Sequence, residues 1–135
     1  MSKLAFATGK RKLAKARAVI KETSGAGRVR INGEPLSKFS PLIQMMIQEP
    51  LLLSEMGNGL DISVNVNGGG SLGQAEAIRM AIARSLLNLT KSEEIRTKFL
   101  EYDRNLLVED FRRTETHKPS QSSKGPRHKR QKSFR

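Results

Sequence analysis

The chain has 135 residues, 25 Lys and Arg against 13 Asp and Glu, a formal charge of +12, and no cysteine. That length accommodates one modest domain, and the missing thiols exclude disulfides, thiolate metal sites and cysteine catalysis. The charge sits at the ends, with nine cations against Glu22 in residues 1–31, nine against Glu115 in 112–135, and seven against eleven acids between; such a body with two basic arms suits an anionic partner, nucleic acid or a charged membrane surface.

In chain order, Leu4 to Thr8 is a short apolar run that opens a strand, and Gly9 reads as a turn or bulge before the basic run Lys10-Arg11-Lys12. The basic run comes too soon for a secretory leader, and no apolar stretch reaches spanning length; the expectation is a soluble intracellular protein. From Leu13, Ala14, Ala16, Ala18 and Ile20 alternate with Lys15, Arg17, Val19 and Lys21, the period of a strand with one basic face. Ser24 to Gly27 is a turn, and Arg28 to Ile31 resumes the alternation. Placed side by side, these two strands would present Lys15, Arg17, Arg28 and Arg30 as a basic ribbon. An ordinary solvated face is the plainer reading, but such faces usually mix both signs.

Asn32-Gly33 is a hairpin turn, since both residue types tolerate positive φ. Pro41 to Ile47 has helical spacing with Leu42, Met45 and Met46 as its apolar face, and Pro50 predicts a break before Leu51-Leu52-Leu53. Two short helices packing on the sheet are expected there, the Met pair filling gaps in the core. Leu60, Ile62, Val64 and Val66 alternate with Asp61, Ser63, Asn65 and Asn67, a half-buried strand. The spacing then predicts a helix over 74–89 with Ala75, Ile78, Ile82, Leu86 and Leu89 on its core face, and Arg79 and Arg84 away from it. Thr90 and Glu93 have capping-box spacing for a last helix, whose apolar face is Ile95, Phe99 and Tyr102. Leu106-Leu107-Val108 closes the body, so the domain is expected over 1–111. Residues 112–135 lack the apolar content for a core and should form an extended basic tail.

Gly68-x-Gly70-x-x-Gly73 matches a dinucleotide-binding string, with Glu93 near the expected distance. The strand before it has a polar face, unlike the buried strands of such folds, and too little chain follows for further βαβ units. The glycines fit better as a close approach to RNA, a tight seat for the helix on the sheet, or a phosphate at the helix N-terminus. No catalytic constellation is visible: His117 and His128 lie in the tail, and the acids are scattered. No metal or cofactor is expected.

TGKRKLAKARAVI at 8–20, GRVRINGEPL at 27–36, EPLLL at 49–53, DISVNVNGGGSLGQAEAIRMAIARSL at 61–86, FLEYDRNLLVEDFRR at 99–113 and the terminal QKSFR together resemble the small-subunit ribosomal protein nine family. FLEYDR and QKSFR resemble its archaeal and eukaryotic branch, with Phe134 where that branch often has Tyr. The resemblance implies an α/β (α+β) fold of the ribosomal S-five second-domain type: a mostly antiparallel sheet, helices on one face and a left-handed βαβ crossover. It implies a structural, non-enzymatic constituent of the cytoplasmic ribosome, in the head of the small subunit. Its partners would be small-subunit rRNA, peptidyl-site tRNA and neighbouring ribosomal proteins, with no membrane and no homo-oligomer.

By the same resemblance, Lys10, Arg11, Lys12, Lys15 and Arg17 contact rRNA. Arg28, Arg30, Arg79, Arg112, Arg113, Lys118, Lys124, Arg127, Lys129 and Arg130 are the further rRNA candidates. Lys132, Phe134 and Arg135 would meet tRNA. A free-standing nucleic-acid chaperone, a small phosphate-handling enzyme and a polybasic membrane-surface protein remain the alternatives; one Phe and no lipidation motif weigh against the last.

Overall fold

A computed structural model describes residues 3–116. Strands β1 (Leu4–Arg11) and β2 (Ala14–Glu22) form an antiparallel hairpin, followed by β3 (Arg28–Ile31) and the two-residue β4 (Glu34–Pro35). Helix α1 (Pro41–Ser54) leads to β5 (Leu60–Asn67), and α2 (Ser71–Thr90) and α3 (Glu93–Tyr102) complete the body. The sheet order is β1-β2-β5-β3-β4. Its pairs are antiparallel except β3 with β5, which run parallel and are connected through α1. Strand β5 therefore sits between β2 and β3, so the two basic strands are not neighbours as the sequence suggested.

The alternation along the strands decides which face is covered. Ala14, Ala16, Ala18 and Ile20 of β2 and Leu60, Ile62, Val64 and Val66 of β5 are buried, while the residues between them face outward. Helix α2 lies over β1 and β2, and α1 packs on α2. The expected α2 positions, Ala75, Ile78, Ile82, Leu86 and Leu89, are all buried. Ile20, Ile62, Val64, Ile82 and Leu86 are among the fully buried side chains, each stabilising the fold by roughly 1.5–3 kcal/mol relative to exposure.

Gly9 is neither turn nor bulge; it pairs with Ala16 inside β1. A Cβ on it would lie 2.2 Å from the Ala77 carbonyl oxygen and 2.7 Å from the Ala81 nitrogen. Its missing side chain is what lets α2 rest on β1 at backbone distance. The chain reverses instead at Lys12-Leu13, with Lys12 at φ 52°. Asn32-Gly33 does turn the chain, at φ 50° and 83°.

Pro50 does not break α1, which continues through it to Ser54 and ends on Glu55 in the left-handed region at φ 57°. A proline removes one helical hydrogen bond, but Ile47, Pro50, Leu51 and Ser54 form the buried face, and that packing holds the helix together. The opposite side of α1 carries Leu42 and Met45, which are exposed rather than in the core. Ser92, not Thr90, occupies the N-cap of α3; the Thr90 hydroxyl donates to the Leu86 carbonyl at 2.9 Å within α2. Phe99 of α3 is fully buried, whereas Tyr102 is exposed.

Candidate nucleic-acid interface

With α2 over its inner face, the sheet leaves its outer face open. Register places Lys10 opposite Lys15, and Lys15 opposite Asn67; Thr8, Arg17 and Asn65 form the next row. Further along, Asp61 lies between Lys21 and Arg28, and Ser63 beside Arg30. Lys15 and Arg17 thus stand two strand spacings from β3, roughly 10 Å, with Asp61, Ser63, Asn65 and Asn67 of β5 in the row between the two cationic edges. Thr8, Lys10, Lys15, Arg17, Asn65 and Asn67 line a shallow concavity of about 830 Å³. Asn65 and Asn67 are the part that sequence reasoning left out; their position on the polar side of an alternating strand was the available signal. Phe6 stands exposed on the same face, paired with Val19.

Asn32 ties the far side of this concavity. Its side-chain nitrogen donates to the Val66 carbonyl at 3.1 Å, and its Oδ1 accepts from the Val66 amide at 2.9 Å. The side chain so extends the β3–β5 ladder one step beyond the end of β3.

The hairpin tip carries Lys12 and Leu13, both exposed, beside the glycine loop and the start of α2. Gly68 and Gly69 have φ of +75° and +69°, and a Cβ on Gly68 would lie 2.5 Å from the Leu13 carbonyl oxygen. Gly68 and Gly69 are therefore required for close packing against the hairpin tip, whereas a Cβ on Gly70 would meet nothing within 4 Å. The strand before them pairs parallel only with the four-residue β3 and antiparallel with β2, not within the extended parallel sheet of a dinucleotide fold.

Several candidate cations face inward instead. The Arg11 Nε meets Glu76 at 2.5 Å, and its Nη1 donates to Asp110. The Arg79 Nη2 donates to Asp103 at 2.7 Å, and its Nε faces Glu49 at 2.7 Å as an ion pair without hydrogen-bond alignment. These two guanidinium groups link β1, α1, α2 and the segment after α3, so they are neutralised within the fold. Arg84 likewise donates to the Thr8 and Leu107 carbonyls. At the root of the tail, Asp110 accepts from the Arg112 amide at 2.9 Å and from its guanidinium at 2.6 Å, and Arg113 pairs with Glu109. The hydrogen bonds from Arg112, then Arg11, hold the Asp110 carboxyl well below the usual carboxylate range, and Asp110 in turn raises Arg112. Lys10, Lys12, Lys15, Arg17, Arg28 and Arg30 remain exposed. Lys118, Lys124, Arg127, Lys129, Arg130, Lys132, Phe134 and Arg135 lie outside the described residues. Among the described residues, no cluster of His, Asp or Glu could hold a metal ion, and no helix is long and apolar enough to cross a membrane.

The family model described as Ribosomal protein S9/S16 matches residues 9–135. The chain is similar to the small ribosomal subunit protein uS9 of Methanococcus maripaludis strain C7, at 48% identity over 135 residues, 98% of this chain and 99% of that protein. It is 47% identical over 135 residues to the uS9 of Methanococcus vannielii, with the same coverage of both chains. These are archaeal proteins, in keeping with the branch that FLEYDR and QKSFR suggested.

Proposed function

The chain belongs to the ribosomal protein S9/S16 family, and from that membership we propose that it docks on small-subunit rRNA through the open face of its sheet and reaches peptidyl-site tRNA with its C-terminal tail. As a family member it is a structural, non-enzymatic constituent of the small ribosomal subunit, assembled with rRNA and other ribosomal proteins in the cytoplasm.

The observation that carries the docking reading is the uncovered concavity in which Lys10, Lys15 and Arg17 surround Asn65 and Asn67. Cations there neutralise phosphate and release counterions, while the amides can hydrogen-bond riboses and base edges. Lys12 at the hairpin tip and Arg28 and Arg30 on β3 extend the cationic rim. Beyond the root, the proposed domain boundary falls near 111–112. Lys118, Lys124, Arg127, Lys129 and Arg130 would follow rRNA, and Lys132, Phe134 and Arg135 would meet tRNA, Arg135 through phosphate and Phe134 by stacking.

The test is sedimentation of a native lysate with the small-subunit peak washed in high salt, followed by tRNA binding to subunits whose chain lacks residues 132–135. Retention in the washed peak with weakened peptidyl-site tRNA binding is expected. A chain stripped by salt or left at the top of the gradient overturns the docking reading in favour of a free chaperone; unchanged tRNA affinity in truncated subunits overturns the role of the tip.

A further inference from the structure

Helix α1 is apolar around most of its circumference, PLIQMMIQEPLLLS, and such a helix is ordinarily enclosed. Here only one side is. At 100° per residue, Leu42, Met45 and Leu52 fall on a single stripe diametrically opposite the buried Ile47, Pro50 and Ser54. Their exposures are 57%, 66% and 73%, among the largest of any aliphatic side chains in the described residues. At its C-terminal end the stripe runs into an open cleft formed with β3, where Leu52 meets Val29, Leu36 and Leu51 and Glu55 stands at the edge.

The charge around this face is opposite to that of the rest of the protein. No Lys or Arg occurs from Phe39 to Ile78, a stretch holding Glu49, Glu55, Asp61 and Glu76. Two cations approach α1 from elsewhere, and both are paired with its acids: Arg79 with Glu49 at 2.7 Å and Lys98 with Glu55 at 3.4 Å. A phosphate backbone would meet apolar carbon, amide and carboxylate here, and the exposed cation at the edge, Lys98, is already engaged by Glu55. We propose that the outer face of α1 is a protein-docking surface of the assembled subunit, occupied by a neighbouring ribosomal protein that inserts apolar side chains along Leu42, Met45 and Leu52 and brings Lys or Arg to Glu55. This assignment rests on the ribosomal reading above. The molecule so has two opposed faces, a cationic sheet for RNA and an apolar, acid-edged helix for protein.

Photo-crosslinking separates the two. Full-length chains carrying p-benzoylphenylalanine in place of Met45 or of Lys12 are incorporated into small subunits, which are purified, washed and irradiated. The Lys12 position should give an rRNA adduct. The Met45 position should give an adduct with one protein constituent of the subunit, at a peptide containing Lys or Arg beside apolar residues. An rRNA adduct at Met45, or none while Lys12 still crosslinks, overturns the docking surface alone. Failure of the chain to enter subunits overturns the ribosomal reading and the docking surface with it. In a second measurement, Leu42→Gln with Leu52→Gln should deplete the crosslinked neighbour from subunits several-fold while this chain stays; unchanged occupancy of that neighbour counts against the proposal.

Discussion

Arg11 in the last position of β1 and Asp110 at the root of the tail, 99 positions apart in the chain, are joined by an ion pair. The same carboxylate holds Arg112, and Arg11 also holds Glu76 of α2. One acidic side chain thereby fixes the course of the chain after residue 109, beside the cationic hairpin.

Replacing that carboxylate should free the root without unfolding the body. Asp110→Asn keeps the shape and removes the charge that both arginines need. Trypsin should then cut after Arg112 and Arg113 several-fold faster in the isolated chain, with only a small fall in the thermal melt of the body. Equal cleavage rates would show that the root is not held there.

The pH response of this contact has a definite sign. The folded-state pKa of Asp110 is depressed, below an unfolded value of about 3.9. Its contribution is therefore complete above the unfolded value and declines as pH falls through the lower, folded one. The carboxyl-carbon shift of Asp110, followed by NMR, should stay flat through the range in which exposed glutamates titrate. A midpoint near 4 would mean that the arginines do not engage it.

Gly9→Ala should be among the most damaging small substitutions available. The added methyl meets backbone atoms of Ala77 and Ala81, which cannot rotate aside, so α2 must lift from β1. Overpacking of this kind costs about 1–3 kcal/mol, and a lower urea midpoint at unchanged slope would register it.

The parts of this fold that were legible in the sequence are those written in local period. The alternation of β5, the spacing of α2 and the Asn32-Gly33 turn each repeat or terminate within a few residues, and each stands where it was expected. What the sequence withheld depends on distant partners. Nothing near Gly9 announces that a helix some seventy residues later will touch its backbone. The insertion of β5 between β2 and β3 is a matter of topology, and it replaced a continuous basic ribbon with two separated cationic edges, Lys15 and Arg17 beside Asn67 and Asn65, and Arg28 and Arg30 beside Asp61 and Ser63. Helix α1 is apolar on both sides, so its pattern could not say which side was covered. Arg11 and Arg79 look like phosphate ligands until the acids that meet them are known.

Asn32→Ala should lower stability by about 2 kcal/mol. It removes both side-chain bonds to the Val66 backbone and leaves a Cβ residue in the left-handed region without a local polar group to favour it. Asn32→Gly relieves the backbone but not the missing bonds, so it should recover only part of the loss. Equal stability of the two variants in urea would assign the whole effect to the side-chain bonds.

The cations on the open sheet and those inside the fold should separate cleanly by salt dependence. Lys15 and Arg17 are exposed in the concavity, so Lys15→Ala with Arg17→Ala should reduce the slope of log affinity against log salt, for a small-subunit rRNA fragment, by about 2. Each lost phosphate contact releases roughly one counterion fewer. Arg79→Ala should act differently: it strands Glu49 and Asp103, and the partly buried pairs are worth roughly 1–3 kcal/mol of stability, between exposed and buried limits. Its salt slope should match the parent chain while its melting temperature falls. If Arg79→Ala lowered the slope and left the melt intact, Arg79 would be a phosphate contact after all; if the double variant left the slope intact, the RNA would lie on another face.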